Sequence, residues 1–314
     1  MKLQTQIPLK KSDRLIGYDS QLLLLGSCFS DNIGSKFQYF KFRAQQNPFG
    51  ILFHPVAIEN LIVKAKEGFR FTTADLICLD QRWHCFDTHS DLTDTSENAL
   101  LERLNSELEQ TKVQLRSASH IIITLGTAWV YRQLLSNKIV ANCHKVPQKD
   151  FSKELLTGKE IVESLENILN AIRSLNKKAA VIFTVSPVRH LKDGFIENQR
   201  SKSHLISAVH HSLKTDNVFY FPAYEIMMDE LRDYRFYKED MVHPNEVAIN
   251  YIWEYFQECW INVAAIKFME KVGDVQKGLQ HIPFNPDSDK HQEFVKKLEQ
   301  KIAYLQNAYP HIRF

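Results

Sequence analysis

Five short apolar runs, each ending in small or polar residues, constrain this chain more than any other feature. Leu22–Leu25 runs into Gly26-Ser27, and Phe42-Arg43-Ala44-Gln45-Gln46 into Asn47-Pro48-Phe49-Gly50. His120–Thr124 runs into Leu125-Gly126-Thr127, Ala180–Thr184 into Val185-Ser186-Pro187, and Val218–Phe221 into Pro222-Ala223-Tyr224. Apolar runs without alternation suit strands buried on both faces, as in a parallel sheet. The second run is the weakest of the five.

Helical patterns lie between them. Leu101, Leu104, Leu108 and Leu115 share one face of a helix from about Glu97. Thr157 and Glu160 form a capping box ahead of Ile161, Leu165, Ile168, Leu169 and Ile172, which recur at helical spacing. A further helix is expected near Pro244, whose missing N–H is tolerated in a first turn, and it carries Val247, Ile249, Ile252 and Phe256. Strands alternating with helices mean an α/β chain, its parallel sheet covered on both sides. Residues 54–118 read as an insertion in the crossover from the second strand to the third. After about Lys271, the breaker cluster Pro283–Asp287 precedes an amphipathic helix marked by Phe294, Leu298, Ile302 and Leu305. The expected division is a main domain over 1–270 and a C-terminal helical extension over 271–314. That extension should pack on the main domain or on a second subunit, so a homo-oligomer stays open.

Composition narrows the function classes. At 44% hydrophobic over 314 residues, the chain can bury a full core. A net charge of +2, with no Lys/Arg run interleaved with aromatics, argues against a nucleic-acid surface. The five cysteines are odd in number and irregularly spaced, which suits free thiols in a reducing compartment. No apolar stretch precedes a small-residue cleavage site at the N-terminus, and no apolar run is long enough to insert in a bilayer. A cytoplasmic protein is the expectation.

Open parallel sheets bind ligands outside the carboxyl ends of their strands, which directs attention to the loops after the runs. Ser27 follows a buried strand and Gly26, with a helical pattern behind it. It either caps that helix or meets a substrate where backbone N–H groups can hold an oxyanion. Near the other end stands Asp240-Met241-Val242-His243-Pro244. An Asp three residues before a His can hold the imidazole Nδ1–H and leave Nε2 free to take a proton. The bland alternative is a solvated loop whose Asp only caps a turn.

This layout resembles the SGNH (GDSL-type) hydrolase superfamily. More closely, Gly26-Ser27-Cys28-Phe29-Ser30 resembles the motif that names the GSCFA family, with Ser30 where that name has Ala. Asn47–Gly50, Thr124–Thr127, Asn142–Lys145, Ser186–His190, Ser201-Lys202 and Leu231–Arg235 look like that family too, and the resemblance covers roughly residues 1–265. It implies a three-layer α/β/α SGNH-hydrolase-like fold with a parallel, flavodoxin-like sheet of about five strands. It implies an ester hydrolase or acyltransferase without cofactor, with Ser27 as nucleophile, His243 as base and Asp240 as its orienter. Ser27 Oγ is then expected within hydrogen-bond reach of His243 Nε2. The Ser27 and Gly50 N–H groups become oxyanion donors. The third donor, an Asn in a Gly-x-Asn turn, is missing from Gly126-Thr127-Ala128, leaving Thr127, Asn142 or Asn47 to replace it. His144, His190, Arg189 and Phe49 are the substrate-binding candidates. The substrate class is an acyl ester of a small molecule, carbohydrate or lipid.

Cys28 reads as packing or pocket wall beside the proposed nucleophile. His84-Cys85, Asp87, His89 and Cys143-His144 offer ligands for zinc, although no C-x-x-C or H-E-x-x-H frames them. Two further function classes therefore stand beside the serine hydrolase: a binding or scaffold protein that keeps the fold, and a metal-dependent hydrolase.

Overall fold

The computed structural model describes residues 4–314. The first half runs β1 (Gln21–Gly26), α1 (Cys28–Tyr39), β2 (Arg43–Gln46), α2 (Pro55–Glu67), β3 (Leu76–Leu79), β4 (Arg82–Cys85), α3 (Glu97–Ser117) and β5 (His120–Leu125). There follow β6 (Trp129–Gln133), β7 (Lys138–Val140), β8 (Phe151–Leu155), α4 (Gly158–Leu175), β9 (Ala180–Val185), α5 (Phe195–Ser212) and β10 (Val218–Tyr220). The short turn α6 (Ala223–Glu225) leads to α7 (Glu246–Trp260), α8 (Val263–Leu279) and α9 (Asp289–Ala308).

All five apolar runs are strands of one parallel sheet, ordered β10-β9-β5-β1-β2. The chain starts in β1, steps outward to β2, then returns past β1 to β5. Between β1 and β5 the connections leave in opposite directions, which opens a crevice at the carboxyl edge. Alternate side chains of β1 feed two cores. Leu23 and Leu25 join Ile121, Ile123 and Phe183 in packing against α2, α3, α4 and α5. Leu22 and Leu24 join Ile122 and Ile182 against α1, α7 and α8. The result is three layers, α/β/α. The weak second run is explained by its place: β2 is an edge strand whose residues are half-buried or exposed, and polar residues there discourage edge-to-edge pairing.

Local chemistry sets the helix boundaries. The Thr157–Glu160 capping box forms, and Ile161, Leu165, Ile168, Leu169 and Ile172 are all buried; truncating one to Ala should cost roughly 2–5 kcal/mol. The helix expected at Pro244 begins later, at Glu246, with Asn245 as its N-cap accepting from the Ala248 N–H. An Asn side chain can satisfy an orphan N–H and a proline cannot, so the cap wins. Val247 consequently faces solvent, while Ile249, Ile252 and Phe256 remain buried.

Residues 54–118 form α2, a β3–β4 hairpin and α3, so this stretch supplies two helices of one covering layer. A three-stranded antiparallel sheet, β7-β6-β8, stands between β5 and α4. The boundary expected at 270/271 falls inside α8. Beyond it α9 lies along α8, and Leu305 and Ile312 are buried in the second core. Tyr309 stacks on Tyr18 with ring centroids 5.1 Å apart. Among the described residues, no helix is long and apolar enough to cross a membrane.

Candidate active site

The crevice at the carboxyl edge begins with a sharp turn. Gly26 ends β1 at φ +132°, and a Cβ there would lie 2.1 Å from the Thr124 carbonyl oxygen of the neighbouring strand. Only glycine permits that approach. Ser27 follows as the N-cap of α1, with its Oγ accepting from the Phe29 N–H at 3.4 Å. It is fully buried, and its own N–H donates to the Thr124 carbonyl at 3.0 Å. Two expectations are corrected here. Among the described residues Ser27 makes no hydrogen bond to His243, and its N–H is already engaged, so it is placed neither to attack nor to hold an oxyanion. The cap conformation turns its side chain back over the helix start.

The next residue points the other way. Cys28, the first residue of α1, is partly exposed and lines a cleft of about 680 Å³, together with Asp240 and His243. Of the two readings from sequence, packing or pocket wall, the second describes its place. Burial holds its thiol above the ordinary range, with the Asp31 charge acting in the same sense. Lys202 and the Cys28 and Phe29 N–H groups oppose that rise, as expected for a thiol at a helix N-terminus.

Asp240 Oδ2 lies 2.6 Å from His243 Nδ1. Asp240 Oδ1 accepts from the Val242 and His243 N–H groups at 2.8 and 2.9 Å. The two backbone bonds, then the imidazole, pull the carboxyl down to about 2. With Nδ1 held by a carboxylate, Nε2 is the nitrogen left to face a substrate. Arg189 fastens this loop from β9. Its N–H donates to the Val242 carbonyl at 3.1 Å and its Nη1 to the Met241 carbonyl at 3.0 Å. Its guanidinium lies 5.4–5.7 Å from the ring centroids of Phe195, Tyr234 and Tyr237.

The remaining candidates divide. His190 lines the cleft and is held neutral, at about 3, by burial and then by the Lys202 and His243 charges. Its Nε2 is buried without a hydrogen-bond partner. Asn142 also lines the cleft, with Oδ1 accepting from the His144 N–H at 2.9 Å. Thr127 lines it too, but its N–H donates to the Phe53 carbonyl and its hydroxyl pairs with Ser201. Four expectations fail, each because a local bond or the core claims the group. The Gly50 N–H closes a turn on the Asn47 carbonyl at 2.8 Å. Asn47 joins the Gly26 N–H to Asp31. Phe49 is buried in the first core. His144 is buried with Nε2 on the Cys85 carbonyl at 2.7 Å, and burial holds it down at about 4.

Three of the side chains offered for zinc are engaged elsewhere: His144 as above, Asp87 with Lys64, and His89 with Asp91. Among the described residues no three His, Cys, Asp or Glu side chains converge as a metal set. Residues not singled out as site candidates complete the walls: Phe53, His54, Trp129, Tyr131, Gln148 and Lys192, Trp129 having read from sequence as core or loop packing. Trp129 and Tyr131 stand on β6, a strand that no apolar run announced. Their signal was two aromatics spaced at i, i+2, which places both on one strand face.

A parallel sheet in the order 2-1-3-4-5 along the chain, with an Asp–His pair and the cysteine at the start of α1 lining the cleft at its carboxyl edge, makes this an α/β protein with an SGNH-like three-layer fold. The chain belongs to the GSCFA family: the family's model matches residues 21–256, and that of the GSCFA domain protein, C-terminal domain, matches residues 272–314. No curated protein matches it. Similar solved structures include a carbohydrate esterase family 3 protein from Talaromyces cellulolyticus, at 10% identity over 81% of this chain and 99% of that one, with a TM-score of 0.37. An acetyl xylan esterase, Est2A, from the rumen bacterium Butyrivibrio proteoclasticus matches at 11% identity over 81% of this chain and 65% of that one, with a TM-score of 0.38.

Proposed function

We propose that this chain cleaves or transfers acyl groups from esters through a thioester on Cys28. The observation that carries the reading is the shared cleft: Cys28, at the start of α1, lines it with His243, whose other ring nitrogen is held by Asp240. Burial keeps the thiol protonated, so it needs a base as the substrate arrives. His243 Nε2 takes the Sγ proton while Sγ bonds to the acyl carbon. The C–O bond breaks and the leaving alcohol takes the proton from His243. Water, or an acceptor alcohol, then adds to the thioester and loses its proton to His243. The C–S bond breaks, His243 returns that proton to Sγ, and the acid or new ester departs. Asp240 stays ionised throughout and keeps the imidazole in one tautomer. The Cys28 N–H and the Asn142 side chain are the donors for the oxyanion, a role worth about a hundredfold each in rate. Phe53, Trp129 and Tyr131 offer apolar ring faces to the substrate, in a cleft of a size that suits a small-molecule ester.

The test is hydrolysis of short p-nitrophenyl esters by the full chain, with iodoacetamide as the thiol probe. Turnover should vanish in Cys28→Ala and on alkylation of Cys28, and persist in Ser27→Ala. Turnover that survives in Cys28→Ala would overturn the thioester.

A further inference from the structure

A second cavity, of about 340 Å³, opens beside the cleft, and Arg189 and Leu191 line both. Phe195, Tyr234, Tyr237, Met227 and Met228 give it apolar walls. Phe195 and Tyr234 are 65% and 63% exposed, so its mouth presents two aromatic rings to solvent.

The Arg189 guanidinium stands among these rings, with the centroids of Phe195, Tyr234 and Tyr237 5.4–5.7 Å away. Rings attract the charge without occupying its N–H donors. A guanidinium has five such donors. Among the described residues its side chain makes one hydrogen bond, from Nη1 to the Met241 carbonyl at 3.0 Å, and no ion pair. The charges around it are already matched. Arg232 pairs with Asp229 and Asp233 with Arg235. On the cleft side His243 holds Asp240 and Lys153 holds Asp193. One positive charge with free donors therefore remains over the second cavity. A carboxylate monoanion fits the planar fork and balances that charge, whereas a phosphate dianion calls for more positive charge than the cavity holds.

One loop joins this cavity to the reacting groups. The Met241 carbonyl that Arg189 binds lies two residues before His243, so their Cα atoms are at most about 7.6 Å apart. A short alkyl chain covers such a span. The smaller cavity, with its methionine and ring walls, suits that chain, and the larger cleft is left for the alcohol part of the ester. We propose that the second cavity is a subsite for a carboxylate on the acyl part of the substrate, with Arg189 as the residue that selects it. The preferred substrates are then half-esters of short dicarboxylic acids.

The inference rests on ester cleavage in the cleft, and its test separates the two. Release of p-nitrophenol from mono-p-nitrophenyl adipate and from p-nitrophenyl hexanoate, which lacks the terminal carboxylate, is compared in the full chain, in Arg189→Gln and in Lys192→Gln. The unaltered protein should favour the adipate by about tenfold in kcat/KM, mostly through KM, and added salt should shrink the preference. Arg189→Gln should abolish it. Arg189 also anchors the 240–243 loop, so both esters lose kcat together in that variant, and the ratio between them isolates the carboxylate. Lys192, an exposed cation of the cleft wall, is the rival partner. A preference lost in Lys192→Gln and kept in Arg189→Gln would overturn the proposal. So would equal kcat/KM for the two esters in the unaltered protein, a comparison that stands whether or not a variant folds. If neither ester is turned over, the ester-cleavage reading fails by itself, and calorimetric titration with monomethyl adipate decides the subsite. Binding should then weaken about tenfold in Arg189→Gln, and unchanged binding would overturn the subsite.

Discussion

The two walls of the cleft are built on opposite principles. One wall consists of Cys28 and His190, with Lys202 buried behind it, all set on strand ends and helices and shifted by burial. The other is the 240–243 loop, exposed to solvent, where Asp240 is shifted by hydrogen bonds. Desolvation acts against whichever form is charged, so it leaves His190 neutral and raises the thiol. Hydrogen bonds to a carboxylate act on one form of one group, so Asp240 stays ionised even in water. On the proposed reading, the thiol that burial holds protonated at rest stands on the first wall, and the base that would exchange protons with solvent and leaving group stands on the second.

Asp240→Asn should break this division most severely. The imidazole would lose its tautomer control, and turnover should fall by roughly 10³–10⁴-fold with Cys28 alkylation by iodoacetamide still detectable. Equal loss of both would mean that the loop also shapes the thiol's surroundings. Arg189→Ala should cut more gently. It frees the Met241 carbonyl and the cage of Phe195, Tyr234 and Tyr237, and kcat should drop about tenfold from a base held out of line. An effect confined to KM on neutral esters would instead give Arg189 a direct role in binding the ester group itself.

The buried wall predicts a pH effect on stability. Folding holds His54 and His144 at about 4 and His190 at about 3, against about 6.5 in an unfolded chain. Between those limits the unfolded chain binds protons that the folded one refuses. Stability is therefore complete above about pH 6.5 and falls as pH drops, by about 1.4 kcal/mol per unit for each histidine. Thermal melts between pH 7 and 4.5 should show a steepening fall in Tm; a flat Tm would mean that these rings find protons or partners in the fold. The smallest effect is expected at Ser27. Ser27→Ala should lower stability by about 1 kcal/mol through its lost cap and keep turnover within an order of magnitude. Loss of labelling at Cys28 in that variant would show that the cap also aims the thiol.

What the sequence by itself determined is the sheet and its edge. Strands buried on both faces leave unbroken apolar runs, and helices with one wet face leave a 3.6-residue rhythm, so Leu22–Leu25, Ile121–Ile123 and Ile161–Ile172 were legible. Asp240 and His243 were legible because their contact spans three residues and needs only a local turn. The strand pairs of β6, β7 and β8 were not, since half-exposed antiparallel strands carry mixed residues and their pairing is made across loops. Nor could sequence decide between Ser27 and Cys28. Adjacent residues at a helix start point in different directions, and which one meets the cleft depends on where the cap turns. Only the tertiary structure seats Gly26 against Thr124, buries Ser27 beside that contact, and leaves Cys28 lining the same cleft as His243. Lys202 belongs to the same class of fact: its Nζ donates to the Gly126 and Ser186 carbonyls, 76 and 16 residues away along the chain, brought together because parallel strands end at one edge.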